Sequence, residues 1–216
     1  MYLAENFLKI KSQIPEHLNL IAVSKMQSVE KIKQIYDLGQ RDFGENKVQE
    51  LLLKKNQLPS DIHWHLIGHL QTNKVRQIVD FVALIHSVDS LKLIEEIQLQ
   101  AEKKNRKIEV LLQVKIAKEE EKYGFSKEEI LQLNKDNYFL NKFPNVIFKG
   151  LMGMATFTDN QTQIQQEFSS LQNIFETLKP NFKDFSLLSM GMSGDYFLAI
   201  QNGSNMIRVG STIFKS

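Results

Sequence analysis

Leu18-Asn19-Leu20-Ile21-Ala22-Val23-Ser24-Lys25 is a short apolar run with few charges that ends abruptly on a lysine. It reads as a buried strand with Lys25 at its carboxyl end. A lysine at that position can be partly desolvated, which lowers its pKa and frees the amine to attack a carbonyl carbon. The ordinary alternative is a solvated lysine capping a strand. Upstream, Leu3, Phe7, Leu8 and Ile10 share one stripe of a helix over residues 2–13, which Pro15 closes. Downstream, Ser28 caps a helix carrying Val29, Ile32, Ile35, Tyr36 and Leu38 at helical spacing, and Gly39 stops it.

The same unit then repeats. Strands are expected at 41–43, 62–67, 81–86, 108–114, 146–152, 185–190 and 206–209. Helices are expected at 47–55, 72–79, from Ser90 to about Glu102, 127–134, 161–178 and from Gly194 to about Gln201, with a polar loop over 118–124. Eight short strands separated by helices call for a parallel sheet, since parallel neighbours need a crossover connection. Eight is also the number that closes; an open doubly wound sheet would leave two edges. The expected fold is α/β, a single-domain TIM (β/α)8 barrel over residues 1–216 with the first helix as an N-terminal addition.

Composition narrows the function. The 216 residues carry 42% hydrophobic side chains, enough for a sizeable core. The 27 Lys+Arg against 25 Asp+Glu leave a net charge of +2 with the two signs interspersed, which disfavours nucleic acid as a partner. Zero cysteines exclude a disulfide scaffold, a thiolate metal site and a cysteine nucleophile, and agree with a reducing cytoplasmic setting. No apolar run approaches the ~18 residues needed to span a bilayer, and the N-terminus lacks the apolar segment of a secretory signal. A soluble cytoplasmic protein is expected.

In a TIM barrel the reactive face is formed by the carboxyl ends of the strands, and the chemically costly residues fall there. Lys25 follows strand one, Gly44-Glu45-Asn46 strand two, His69 strand three, Ser87 and Asp89 strand four, and Gly153-Met154 strand six. Gly191-Met192-Ser193-Gly194 follows strand seven, and strand eight carries Arg208 toward Gly210-Ser211. The last two loops supply a hydroxyl and several glycine-permitted amides where barrels often bind phosphate. Arg208 interrupts an apolar strand and needs an acceptor, either a ligand ring nitrogen or phosphate, or a buried carboxylate such as Asp89 or Glu45. His63 and His65 share one face of a strand, and His69 and His86 lie at strand ends. Three histidines can hold zinc, but no carboxylate–histidine spacing of a metal site accompanies them, so no metal is expected. Lys115, followed by Lys118 and Glu119 to Glu121, reads as solvated loop; Met154 is the better of the two nearby methionines for lining the mouth.

IAVSK (21–25), FGENKVQE (43–50), WHLIGHLQTNK (64–74), IHSVD (85–89), GLMGM (150–154), LSMGMSGD (188–195) and IRVGSTIF (207–214) together resemble the pyridoxal phosphate homeostasis protein family, the YggS/PROSC group. The resemblance implies a barrel like the N-terminal domain of alanine racemase, with pyridoxal 5′-phosphate (PLP) as cofactor. It implies Lys25 as the Schiff-base lysine and Ser193, Gly210 and Ser211 as phosphate-binding groups. By the same resemblance Arg208 faces the pyridine nitrogen, and Asn46 lies in the GEN motif lining the mouth. The chain departs from the common pattern at Met26-Gln27, at Tyr123 and at its terminus Phe214-Lys215-Ser216.

An arginine at the ring nitrogen keeps it unprotonated and makes the ring a weaker electron sink. Racemisation needs acid and base groups on opposite faces of the substrate carbon, and in racemases the second comes from a C-terminal β-domain and a partner subunit. This chain ends directly after strand eight. The expectation is therefore a monomeric PLP-binding protein of vitamin B6 homeostasis without a catalytic residue, with PLP-dependent apoenzymes as candidate recipients. The alternatives are a racemase-like PLP enzyme and a cofactor-free barrel using Lys25 on a sugar phosphate.

Overall fold

The computed structural model describes residues 2–117, 123–133 and 141–215. Its strands are β1 (Asn19–Val23), β2 (Asp42–Glu45), β3 (His63–Leu66), β4 (Leu84–Val88), β5 (Ile108–Val114), β6 (Val146–Gly153), β7 (Leu187–Ser189) and β8 (Met206–Val209). They close into a barrel in sequence order, with β1 returning to β8 in parallel through Asn19↔Met206 to Ala22↔Val209. The expected TIM barrel is the observed fold. The helices are α1 (Tyr2–Gln13), α2 (Val29–Asp37), α3 (Val48–Lys55), α4 (Val75–Ile78), α5 (Leu91–Lys103), α6 (Lys127–Gln132), α7 (Gln161–Leu178), α8 (Tyr196–Gln201) and α9 (Ser211–Phe214). Among the described residues no helix is long and apolar enough to cross a membrane.

Local chemistry starts the helices where the sequence places them. Ser28 Oγ accepts the Lys31 N–H and Ser90 Oγ the Leu93 N–H, while Ser126 and Glu129 form a reciprocal capping box. α1 buries Phe7 and Ile10, but Leu8, expected on the same stripe, is 52% exposed. α1 packs on α2 and on α9, a final turn the sequence reading did not contain, and Asn6 Nδ2 donates to the Lys215 carbonyl across that contact (3.1 Å).

Boundaries shift where backbone hydrogen bonds compete. The helix expected over 72–79 is a 3₁₀ turn at Thr72–Lys74 followed by α4. The Phe81 and Val82 N–H groups both bond to the Ile78 carbonyl, so the end of that helix takes up residues expected in β4. β4 then extends through Ser87 and Val88, expected as loop. Phe185, expected in β7, instead packs with Phe175 and Phe182 outside the barrel. The expected polar loop over 118–124 and the end of the helix at Asn134 lie largely outside the described residues.

The core has two parts. Most buried side chains, including Phe43, Leu51, Phe148, Leu151 and Phe168, fill the layer between strands and helices. A smaller cluster of Ile21, Leu84, Leu111, Met152 and Met206 fills the barrel itself. β6 reaches both through a bulge. Val110 pairs with Phe148 but Leu111 with Gly150, leaving Lys149 as the extra residue. The bulge reverses the side-chain phase, so that Leu151 joins the outer core and Met152 the inner one.

Candidate functional site

The end of β1 is held by charges that belong to β2 and α3. Ser24 N–H bonds to the Gly44 carbonyl, and Ser24 Oγ donates to Glu45 Oε1 at 2.5 Å. Lys54 Nζ, on the buried side of α3, donates to the Ser24 carbonyl (2.7 Å), Glu45 Oε1 (2.8 Å) and Glu50 Oε1 (2.6 Å). Glu50 Oε1 also accepts the N–H of Met26, whose φ is +61°, a left-handed conformation that costs a side-chain-bearing residue roughly 1–2 kcal/mol. The backbone on either side of Lys25 is thus fixed, while Lys25 itself is exposed. Of the two readings of Lys25, desolvated or solvated, the protein has the solvated one, and the charges that the strand end buries are those of Lys54 and Glu45.

Burial raises the pKa of Glu45, against the lowering effect of Lys54 and Ser24, and its Oε2 is buried without a hydrogen-bond partner among the described residues. Burial also acts to raise the pKa of Glu50, but the bonds from Lys54 and the Met26 amide outweigh it and the carboxyl lies below its ordinary range.

The loops after β7 and β8 come together beside this strand end. Gly210 and Thr212 donate their N–H groups to Ser193 Oγ (3.2 and 3.4 Å). Asp195 Oδ1 accepts the Met192 N–H at 2.5 Å, holding the turn that contains Ser193. Gly191 needs its lack of a side chain twice over: its φ is +96°, and a Cβ would lie 2.6 Å from that of Ala199. A Cβ on Gly210 would meet the Val23 carbonyl at 3.0 Å. The loop carrying Gly210 and Ser211, joined to Ser193 by these bonds, therefore lies against the end of β1, two residues before Lys25.

Arg208 is 4% exposed and points into the barrel. Neither Asp89 nor Glu45 is its acceptor. Nη1 donates to the Ser189 carbonyl (3.0 Å) and Oγ (2.6 Å), and Nη2 to the Gly153 carbonyl (3.0 Å). Burial lowers its pKa to about 10, partly opposed by Asp195, which still leaves a cation at neutral pH. Among the described residues these three bonds leave Nε–H and one Nη2–H without a protein acceptor, so a ring nitrogen is a chemically matched partner.

The expected histidine cluster separates into two uses. His65 and His86 lie inside the barrel with Nδ1 and Nε2 2.9 Å apart, while His63 and His65 both reach Asp42 Oδ1 (3.2 and 3.1 Å). His69 is at the mouth, 2.9 Å from Asp89 Oδ2 and stacked on Tyr123 with ring centroids 3.8 Å apart. Tyr123, one of the departures from the family pattern, thus covers His69. Asn46 is half-buried after β2, its backbone so close to Gly68 that a Cβ there would lie 2.4 Å from the Asn46 carbonyl oxygen. Met154 follows β6 and packs, partly buried, on the inner-barrel cluster. Lys25, Asn46, Met154, Ser193, Arg208, Gly210 and Ser211 all fall at the carboxyl ends of β1, β2, β6, β7 and β8. Sequence reading missed Lys54, Glu50, Ser189 and Asp195.

The family described as alanine racemase, N-terminal domain, matches residues 2–216. The pyridoxal phosphate homeostasis protein of Helicobacter pylori is 40% identical over 200 residues, covering 92% of this chain and 87% of the relative. Among solved structures, PipY of Synechococcus elongatus with PLP bound superposes with a TM-score of 0.88 at 36% identity, covering 98% of this chain and 99% of PipY. Alanine racemase of Clostridium difficile shares the fold, with a TM-score of 0.79 at 16% identity, over 99% of this chain and 55% of the racemase. The barrel, the position of its lysine and these relatives lead to one assignment: the chain belongs to the pyridoxal phosphate homeostasis protein family, within the larger group that shares the alanine racemase N-terminal domain.

Proposed function

We propose that this protein binds PLP at the carboxyl-terminal mouth of the barrel and acts in PLP homeostasis without catalysing a reaction of its own. The observation that carries the proposal is the packing of Gly210 on Val23, which sets the amide-lined turn after β8 beside the end of β1, two residues before Lys25. An aldehyde and a phosphate on one small ring fit that pair of features. Lys25 Nζ would be the amine that holds the aldehyde carbon, with the aldehyde oxygen released as water. Ser193 Oγ and the amide of Ser211 bind the phosphate oxygens, joined by the Gly210 amide once it exchanges its bond to Ser193 Oγ for a phosphate oxygen. Arg208 donates to the pyridine nitrogen and so keeps it unprotonated, while Met154 and Asn46 line the mouth. Without a protonated ring nitrogen the bound cofactor is a poor electron sink, which suits storage or delivery to apoenzymes better than carbanion chemistry.

The test is the absorbance spectrum of the purified protein mixed with PLP. A visible band that borohydride fixes on Lys25, located by mass spectrometry and lost in Lys25→Ala, is the expected result. An unchanged band in Lys25→Ala overturns the assignment, and amino-acid turnover that depends on Lys25 would replace it with a racemase-like enzyme.

A further inference from the structure

Arg208 is the top of a file of side chains that runs down the inside of the barrel. Arg208 Nη1 lies 2.6 Å from Ser189 Oγ, Ser189 Oγ 3.3 Å from His86 Nδ1, His86 Nε2 2.9 Å from His65 Nδ1, and His65 Nε2 3.1 Å from Asp42 Oδ1. Ser189, His86, His65 and Arg208 are all buried. Asp42 is not: its side chain is 42% exposed, and with His63 it lines a cavity of about 370 Å³ at the amino-terminal ends of the strands. The two ends of the file thus open on opposite faces of the molecule.

Donor and acceptor rules leave one arrangement when the imidazoles are neutral. An ionised Asp42 only accepts, so His65 Nε2 carries the hydrogen and His65 Nδ1 is bare. His86 must then donate from Nε2, which leaves His86 Nδ1 bare and able to accept from Ser189 Oγ–H. With its hydrogen committed downward, Ser189 turns its lone pairs to Arg208, which as a cation only donates. Every bond points from the guanidinium to the carboxylate. Reversing any link would turn a hydrogen of Ser189 toward Arg208 or leave a buried ring nitrogen without a partner.

We propose that His86 and His65, ordered by Asp42 from the far end of the barrel, are positioning residues that fix the guanidinium plane of Arg208 and so the donor it offers to the cofactor ring. The consequence for the ring rests on the PLP reading above; the hydrogen-bond direction does not. His86 suits the role because it is wholly buried, where burial first, and the nearby His65 and Arg208 next, hold it neutral. His63 also bonds to Asp42 but lies off the file, and is its internal control.

The test uses full-length, ¹⁵N-labelled protein without cofactor at pH 8, in which imidazole correlations distinguish protonated from bare ring nitrogens. His65 and His86 are expected as single Nε2–H tautomers, unchanged in His63→Ala. In Asp42→Ala, a change at a half-exposed position, both lose that single tautomer. On adding PLP, the absorbance band of Asp42→Ala shifts from that of the wild type, while His63→Ala matches the wild type. An Nδ1–H tautomer at His86 in the wild type, or an Asp42→Ala protein with wild-type tautomers and an unmoved band, overturns the proposal. Failure of PLP to attach to Lys25 would count against the proposed cofactor site alone, since the tautomers are read without it.

Discussion

His86 carries a pH dependence whose sign follows from its burial. Desolvation, then the proximity of His65 and Arg208, set its pKa well below the ordinary 6.5. The unfolded chain binds a proton there below about pH 6.5, and the native state does not. Stability associated with His86 is therefore fully present above 6.5 and lost as pH falls toward its depressed native pKa, by up to about 1.4 kcal/mol per pH unit. Urea unfolding of wild type and His86→Gln at pH 7.5, 6.5 and 5.5 checks this. The variant is expected to lose less stability than wild type between the two lower values; parallel pH profiles would show that His86 titrates in the folded protein.

Legibility at this scale depended on whether a residue looked out of place in its stretch. Lys25 ending an apolar run and Arg208 interrupting one announced themselves. Lys54 did not, because it sits among Lys47, Glu50 and Lys55 as an ordinary helical charge. Its only signal was position: the buried face of α3 runs Val48, Leu51, Lys54, so a lysine occupies the third apolar position of the stripe.

At the scale of elements, β6 shows why strand limits were easier to read than strand phase. Its start at Val146 was legible, since an apolar stretch interrupted by Lys149 follows the polar Asn145. Strict alternation would nevertheless have sent Leu151 into the barrel with Lys149, and Met152 outward. The bulge at Lys149 overturns that, and it depends on Gly150. With φ at +154° and the Leu187 carbonyl oxygen 1.7 Å from where a Cβ would stand, only glycine lets β7 pair beside it. Gly150→Ala must either break the Gly150↔Leu187 pairing or remove the bulge and turn Met152 and Met154 away from the barrel interior. Either route exceeds the roughly 0.5–3 kcal/mol of a typical substitution. The expected result is a protein recovered largely unfolded or with its urea midpoint sharply lowered. A Gly150→Ala midpoint within error of wild type would mean that the bulge is not needed for closure.

For the whole molecule, the decisive contact is the seam between β1 and β8, where residues nearly two hundred positions apart pair and the barrel closes. The proposed cofactor site lies across that seam, with Lys25 after β1 on one side and Ser193, Gly210 and Ser211 on the other. α1 and α9 brace it from outside through Asn6 and the Lys215 carbonyl. A ligand joined to both sides therefore opposes the opening of the entire fold. For a ligand that binds only the native state, a concentration 100 times Kd adds about 2.7 kcal/mol. In a domain of this size each kcal/mol moves Tm by about 2–4 °C, so PLP is expected to raise Tm by about 5–11 °C. Unfolded chains offer many lysines to an aldehyde, which weakens the effect equally in wild type and variants. On the proposed site, Lys25→Ala would keep the phosphate contacts but lose the covalent one, and Ser193→Ala would keep the lysine but lose a phosphate partner. Each is expected to show a smaller rise than wild type at the same PLP concentration, with inorganic phosphate alone giving little. Equal rises in wild type and both variants would place PLP elsewhere on the surface and leave the seam without a ligand.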